Sequence, residues 1–348
     1  MISIDLGSYE TKIVEGKVFR DNIKITRALS FDTPLNSYKN GYIKNEAGLK
    51  EKILEEIKKN KLKGDCYLNI KSTAIITREI IFPVLGDKEI AGLLRYQLPE
   101  YLPMDPDKYI VQHKPIEKVN IDGSDKLNTL IVAVPKEMAD AHFSLIKDLG
   151  LRPMVMDYQC NALWKLLKHS KRINDSHSVA EKTAAIIDLG YDSTSIIIIK
   201  NGTMQFCRVL DDGGESIDDN LTNLMSLEKN QLLAGKSEIA DINTISDGSY
   251  SDYNRIVNII RTGLENLMER IDRVFRFYTA KEIGNEIDNI FLYGGLSNIK
   301  GIDKLFSDNF HIPAVIIKNL DRLTMPDGLD KYINCIGTLL RDDEVTIK

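Results

Sequence analysis

Ile4-Asp5-Leu6-Gly7-Ser8-Tyr9-Glu10-Thr11-Lys12-Ile13 is written a second time as Ile187-Asp188-Leu189-Gly190-Tyr191-Asp192-Ser193-Thr194-Ser195-Ile196. Ile-Asp-Leu-Gly, the Thr and the final Ile fall in register, about half the chain apart. Each copy reads as a strand ending on an acid, a Gly turn, and a second strand leaving it. Such a hairpin can aim backbone N–H groups at a phosphate, because Gly lets a ligand approach where a Cβ would stand. The Asp at the strand end can hold a metal ion, directly or through water. Two such hairpins facing each other would grip a polyphosphate from both sides. Internal duplication at this spacing reports architecture as well as a local turn.

The 348 residues suit two domains with room for an insertion. An apolar content of 43% against 28% charge allows a packed core. The net charge of −5 argues against a broad nucleic-acid surface. Cys66, Cys160, Cys207 and Cys335 lie far apart without a C-x-x-C pair, and His is sparse. That pattern predicts neither a zinc site nor a disulfide framework, and fits a reduced, intracellular compartment. Apolar runs such as 196–199 fall far short of the roughly 18 residues that suggest a membrane span. The chain opens on a strand containing Asp5, so no secretory signal is expected, and any membrane role would go through a partner.

Around the first repeat, alternation predicts a three-stranded meander that turns at Asp21-Asn22. Lys12 has no counterpart in the second copy, where Ser195 stands; a cation beside a phosphate turn neutralises ligand charge. Residues 49–63 read as a helix with Ile53, Leu54 and Ile57 on one face. From 73 to 156 the order becomes β-α-β-β-α-β: a helix over 87–98 closed by Pro99, a turn at Asp122-Gly123, and a last strand over 153–156. It reads as a small self-contained sheet with helices on one face, carrying no chemistry and suited to a partner. Trp164 reads as core, on the helix that returns to the main body.

A second meander turns at Asn201-Gly202, and Gly213-Gly214 precedes a helix over 215–235. The longest helix, 254–282, sets Ile256, Ile260, Leu264, Leu267, Ile271, Val274 and Tyr278 at core spacing. A strand ends at Gly294-Gly295-Leu296-Ser297, where a flat ring or sugar could lie against backbone.

These segments together resemble the actin-like ATPase superfamily, which includes actin, sugar kinases and the bacterial division protein FtsA. Asp5-Leu6-Gly7-Ser8 with Lys12 looks like its first phosphate motif, Asp188-Leu189-Gly190 with Ser193-Thr194 like its second, and 293–297 like its adenosine motif. The resemblance implies an α/β, actin-like (ribonuclease H-like) duplicated two-domain fold with the inserted β-α-β-β-α-β module in the first half. Its expected divisions are 1–72 with 157–180, the module 73–156, 181–214 with 286–348, and a subdomain 215–285. Thr77-Arg78-Glu79-Ile80-Ile81-Phe82-Pro83, 98–104 and Ile336-Gly337-Thr338-Leu339-Leu340-Arg341 are similar to the PilM family of type IV pilus assembly proteins, in the FtsA-like branch.

That likeness implies a cytoplasmic ATP-binding protein at the inner face of the membrane, acting in pilus biogenesis and twitching motility. Its implied partners are the N-terminal cytoplasmic peptide of PilN, gripped beside the module, other assembly-platform proteins and motor ATPases. Homo-oligomers stay open. ATP and Mg²⁺ are the implied cofactors, the metal held by Asp5 and Asp188 through water. The implied nucleotide residues are Asp5, Gly7, Ser8, Tyr9, Lys12, Asp188, Gly190, Asp192, Ser193, Thr194, Gly214, Gln231, Gly294, Gly295 and Leu296. Tyr9 and Glu10 replace the small hydroxyl residues common there, and a carboxylate near phosphate repels it. Gln231 and Ala234 replace a Glu and Lys that face ribose and base. Gln159 stands where an attacking water is oriented; an amide is no strong base, so slow hydrolysis at most is expected. The rival readings are a small-molecule kinase, for which no acidic base is found, and an FtsA-like division protein, for which 341–348 lacks an amphipathic membrane helix.

Overall fold

In the computed structural model, which describes residues 1–19, 22–101, 105–225, 241–244, 252–326 and 328–341, the first repeat joins β1 (Ile2–Asp5) to β2 (Glu10–Phe19). β3 (Asn22–Asp32) completes the meander; the first residue of its expected turn, Asp21, lies outside the described residues. A short hairpin follows, β4 (Tyr38–Lys39) and β5 (Tyr42–Ile43), turning at Asn40-Gly41 with both residues at positive φ. α1 (Glu46–Lys59) starts a turn earlier than its apolar spacing suggests, because the Asn45 side chain caps it by accepting the Gly48 N–H. β6 (Asp65–Ile70) then runs parallel to β1, with Asn69 opposite Asp5.

β7 (Ile76–Pro83), α2 (Asp87–Tyr101), β8 (Tyr109–Ile121), β9 (Ser124–Pro135), α3 (Lys136–Asp148) and β10 (Arg152–Tyr158) keep the order read from the sequence. Their pairing corrects the expectation of one self-contained sheet. β7, β9 and β8 form a three-stranded sheet in that order, whereas β10 runs parallel to β6 at the edge of the first main sheet. The reason is packing: Leu145 and Ile146 of α3 share a core with Leu49 and Ile53 of α1, so the second helix brings the chain back onto the main body. α2 also runs through Pro99 to Tyr101 rather than stopping before it. Near a helix end the missing proline N–H costs one bond rather than a whole turn.

After α4 (Gln159–His169) the second repeat joins β11 (Thr183–Leu189) to β12 (Thr194–Lys200), and β13 (Thr203–Leu210) follows the Asn201-Gly202 turn, both residues at positive φ as a type I′ hairpin needs. α5 (Gly214–Met225) covers the start of the helix expected over 215–235, whose remainder lies outside the described residues. α6 (Asp252–Lys281), β14 (Asn289–Tyr293), α7 (Ile302–Phe310), β15 (Ala314–Ile316), β16 (Leu323–Thr324) and α8 (Leu329–Leu339) complete the chain.

The duplication extends well beyond ten residues. One sheet contains β3-β2-β1-β6-β10 and the other is β13-β12-β11-β14-β15; in both, the repeat strand has an antiparallel meander on one side and two parallel strands on the other. Register repeats as well, with Asp5 opposite Lys12 and Asp188 opposite Ser195. β16, which the sequence did not announce, adds itself to β3 and ties the chain's last part to the first sheet.

α4 and α8 lie between the two sheets. Leu163, Trp164, Ile333 and Ile336 share one core with Val14 and Ile70 of the first sheet and Ile186 and Ile197 of the second. α1 and α3 cover the first sheet's far face, and α5, α6 and α7 the second's. β11 is accordingly buried at every residue, Ala184 and Ile186 facing the central layer and Ala185, Ile187 and Leu189 the outer one. Truncating Ile187 to Ala would cost about 2–5 kcal/mol. A Cβ at Gly337 of α8 would collide with the Ala162 carbonyl of α4, so only glycine permits this close crossing. Trp164 is buried and donates its indole N–H to the Gly202 carbonyl at 2.9 Å.

One cysteine expectation is overturned. Cys160 of α4 and Cys207 of β13 form a disulfide with Cα atoms 6.5 Å apart, joining the central helix layer to the second sheet. The partners are 47 residues apart and belong to no local motif, so only the packing of the halves reveals the pair. Cys66 and Cys335 are free and buried.

Candidate functional site

β1 and β11 end on Asp5 and Asp188, and both carboxylates line a single cleft of about 550 Å³ between the two sheets. The Asn334 Nδ2 of α8 lies 3.4 Å from Asp5 Oδ2 and 3.5 Å from Asp188 Oδ2, so one amide spans both acids. Asn69 at the end of β6 donates to Asp5 Oδ1 at 3.0 Å. Lys71, two residues further on, reaches across to Asp188 Oδ2 at 3.2 Å. Both aspartates are almost fully buried. Their field is felt around them: burial holds the Tyr293 phenol protonated well above its usual range and Asp188 adds to this, while burial and then Asp5 do the same for the Cys335 thiol. A floor of this sign, made of carboxylate oxygens, fits a hard cation such as Mg²⁺.

The two turns are built alike. An added Cβ at Gly7 would stand 2.6 Å from the Glu10 carbonyl, and at Gly190 2.5 Å from the Ser193 carbonyl, so both hairpins are too tight for a side chain. The threonines in register serve as staples: Thr11 bonds Thr33, whose hydroxyl donates to the Gly7 carbonyl, and Thr194 donates to the Asp212 carbonyl. On the far wall Gly294 sits at φ +95°, and nothing stands within 4 Å of a Cβ built on Gly295, which opens onto the cleft. Flat backbone beside free space fits a sugar or base.

Asp5, Gly7, Ser8, Tyr9, Lys12, Asp188, Gly190, Asp192, Gly214, Gly294, Gly295 and Leu296 all line the cleft. Ser193 and Thr194 are buried, and their hydroxyls are spent on Asp192 and on the Asp212 carbonyl. Gln159 is buried beneath the cleft, its amide donating to Asp188 and accepting from Ser195. Gln231 and Ala234 lie outside the described residues. Tyr9 packs on Tyr191 with ring centroids 4.9 Å apart, so the two hairpins touch through the residues that follow Ser8 and Gly190. Glu10, expected to repel phosphate, pairs with Lys331 at 3.3 Å. Sequence reasoning missed Lys71, Asn69 and Asn334. The one available signal was a polar Asn334 inside the apolar run 332–336 of a helix buried on nearly every side.

A second cavity, a groove of about 880 Å³, lies between the inserted module and the first sheet. Its walls include Ile110 and Lys114 of β8 and Met154, Asp157 and Tyr158 of β10, both edge strands of their sheets. Lys114 donates to Asn161 Oδ1 at 2.7 Å and lies over the Trp164 ring, Asn161 donates to Asp157 Oδ1 at 2.7 Å, and Asp157 pairs with Lys165. Ile70 and Tyr158 line this groove while their chain neighbours Lys71 and Gln159 reach Asp188, so groove and cleft lie back to back across the ends of β6 and β10.

Two duplicated sheets closing on one cleft define an actin-like fold, and solved structures agree. A chain of a PilM–PilN type IV pilus biogenesis complex superposes with a TM-score of 0.81 at 18% identity, covering 97% of both chains. The ethanolamine utilization protein EutJ from Carboxydothermus hydrogenoformans gives 0.58 at 11% identity, over 97% of this chain and 88% of that one. MreB5 of Spiroplasma citri bound to ADP gives 0.55 at 13%, over 97% and 94%. The sequence matches the family described as type IV pilus assembly protein PilM over residues 3–332. The chain belongs to the PilM family.

Proposed function

We propose that this chain is a nucleotide-dependent scaffold that binds ATP with Mg²⁺ in the cleft and an extended peptide in the groove behind it. The observation that carries the reading is the meeting of Asp5 and Asp188 over one amide, with a glycine turn beside each. Bound there, magnesium would supply charge neutralisation for the phosphates. The chain's own residues do the rest. Asp5 and Asp188 present oxygens to the metal's water shell, the turns at Gly7 and Gly190 offer backbone N–H groups, Lys12 adds positive charge, and Gly294-Gly295 leaves a flat wall for the nucleoside. Gln159 is committed to Asp188 and Ser195 and is too weak a base to take a proton from water, which favours binding over turnover. Hydrolysis is slow at most.

The occupant of the groove is the N-terminal cytoplasmic peptide of a PilN protein. Two edge strands line the groove, a backbone rim that an extended chain can pair with, and Asp157, Lys165 and Lys114 give the floor both signs of charge. No helix among the described residues is long and apolar enough to cross a membrane. Through that peptide the protein works on the cytoplasmic side of the inner membrane, beside other platform proteins and motor ATPases. The test is capture by a synthetic peptide of the first residues of the PilN from the same genome, with and without Mg-ATP. Capture strengthened by nucleotide is expected. Absence of capture in both conditions refutes the peptide reading, and phosphorylation of an added metabolite would favour a kinase.

A further inference from the structure

The duplicated topology assigns Lys71 a place. In the first sheet Asp5 pairs with Asn69 of β6, and in the second Asp188 pairs with Tyr293 of β14. Two residues beyond those partners stand Lys71 and Gly295. The position that the second half leaves as bare backbone, the first half fills with an ammonium group. The two oxygens of Asp188 divide accordingly: Oδ1 lies against Gly294, while Oδ2 takes the Lys71 Nζ at 3.2 Å. A ligand with its nucleoside against Gly294-Gly295 therefore runs its phosphate chain past Asp188 toward Lys71.

The ammonium is held on the open face of the second turn. A Cβ built on Gly190 would stand 2.7 Å from Nζ, and the Ser193 carbonyl accepts from it at 3.3 Å. Its side chain is 18% exposed, and it lines the cleft. Its chain neighbour Ile70 lines the groove, and the inserted module begins with β7 a few residues later.

We propose that Lys71 is the positioning residue that distinguishes a nucleoside triphosphate from a diphosphate: it leaves Asp188 for the terminal phosphate of the longer chain and finds no partner on the shorter one. Asp188 is then released to the metal's water shell, and the ammonium's departure pulls on the segment that roots the inserted module. The inference rests on the nucleotide reading of the cleft.

Equilibrium dissociation constants for Mg-ATP and Mg-ADP, measured by calorimetry on the full chain for the wild type, Lys71→Met and Lys71→Arg, test it. Thermal melts alongside verify folding. The expected result is that Lys71→Met weakens ATP at least tenfold while ADP changes less than threefold, and that Lys71→Arg recovers most of the difference. Added salt should erode the wild-type preference and leave the Met variant's ratio flat. Equal weakening of both nucleotides, or an unchanged ratio, overturns the assignment while the cleft remains a nucleotide site. A wild type that binds neither nucleotide refutes the reading of the cleft and the assignment with it.

Discussion

Asp188→Ala tests whether this acid is also a strut of the fold. The Asp188 side chain is 7% exposed and accepts from Lys71 at 3.2 Å, from Gln159 and, at 3.5 Å, from Asn334. Truncation leaves a largely buried ammonium and two buried amides without that acceptor. Removing one member of a buried pair costs about 3–5 kcal/mol; the low end, about 3 kcal/mol, applies because Lys71 keeps the Ser193 carbonyl and some water. Pairing the truncation with Lys71→Met removes the stranded charge, so the double variant should regain about 1–2 kcal/mol over the sum of the singles. Urea unfolding at pH 8, with m-values compared between variants, is the assay. The pH dependence has a definite sign: the folded pKa of Lys71 is raised above its ordinary 10.5, so its contribution is complete below pH 10.5 and is lost as pH rises through the folded value. A loss under about 0.5 kcal/mol for Asp188→Ala, or strict additivity in the cycle, would refute the strut.

Gly295→Val should leave stability nearly unchanged, since its Cβ meets nothing within 4 Å, yet weaken nucleotide binding by tenfold or more; an unchanged dissociation constant would mean that the glycine is only a turn. Alkylation in denaturant should label two thiols without reductant and four with it, Cys66 and Cys335 being the free pair. Closing a loop of 47 residues is worth about 4 kcal/mol in the chain-entropy account, so reductant should lower the melting temperature; equal labelling in both conditions contradicts the bond. His142 is buried, its Nδ1 bonded to the Met138 carbonyl at 2.7 Å and its Nε2 to Tyr38; burial lowers its pKa, and the Met138 bond only partly opposes this. The unfolded chain then binds the extra proton, so stability falls as pH drops below 6.5 by up to about 1.4 kcal/mol per pH unit. His142→Gln should flatten that slope; an identical pH profile would refute it.

What the sequence made legible was local and periodic. The repeat carried the architecture because Ile-Asp-Leu-Gly encodes a strand, an acid at its end and a turn within four residues. Asn201-Gly202 and the apolar spacing of α6 likewise encode their structures without help from distant residues. What stayed hidden depends on which strands become neighbours. β10 joins the first sheet because α3 packs on α1, a choice no window of sequence contains. Lys71 acquires meaning only when β6 is laid on β14, and Cys160 meets Cys207 only once both sheets press on α4. Asn334 meets the acids from α8, the element that follows β16, whose pairing with β3 ties this part of the chain to the first sheet.

Groove and cleft share the ends of β6 and β10, so the proposed peptide in one and the proposed phosphate chain in the other would act on the same few residues. In a reducing compartment the Cys160–Cys207 pair becomes two thiols, and the covalent tie between the central helix layer and the second sheet is gone.

The convergence of the two turns on one ligand is tested most directly by amide hydrogen exchange at saturating Mg-ATP. Protection should rise together over residues 5–12 and 188–195, and on the wall at 294–296. Protection confined to one turn, or absent from both at saturating nucleotide, would contradict the account.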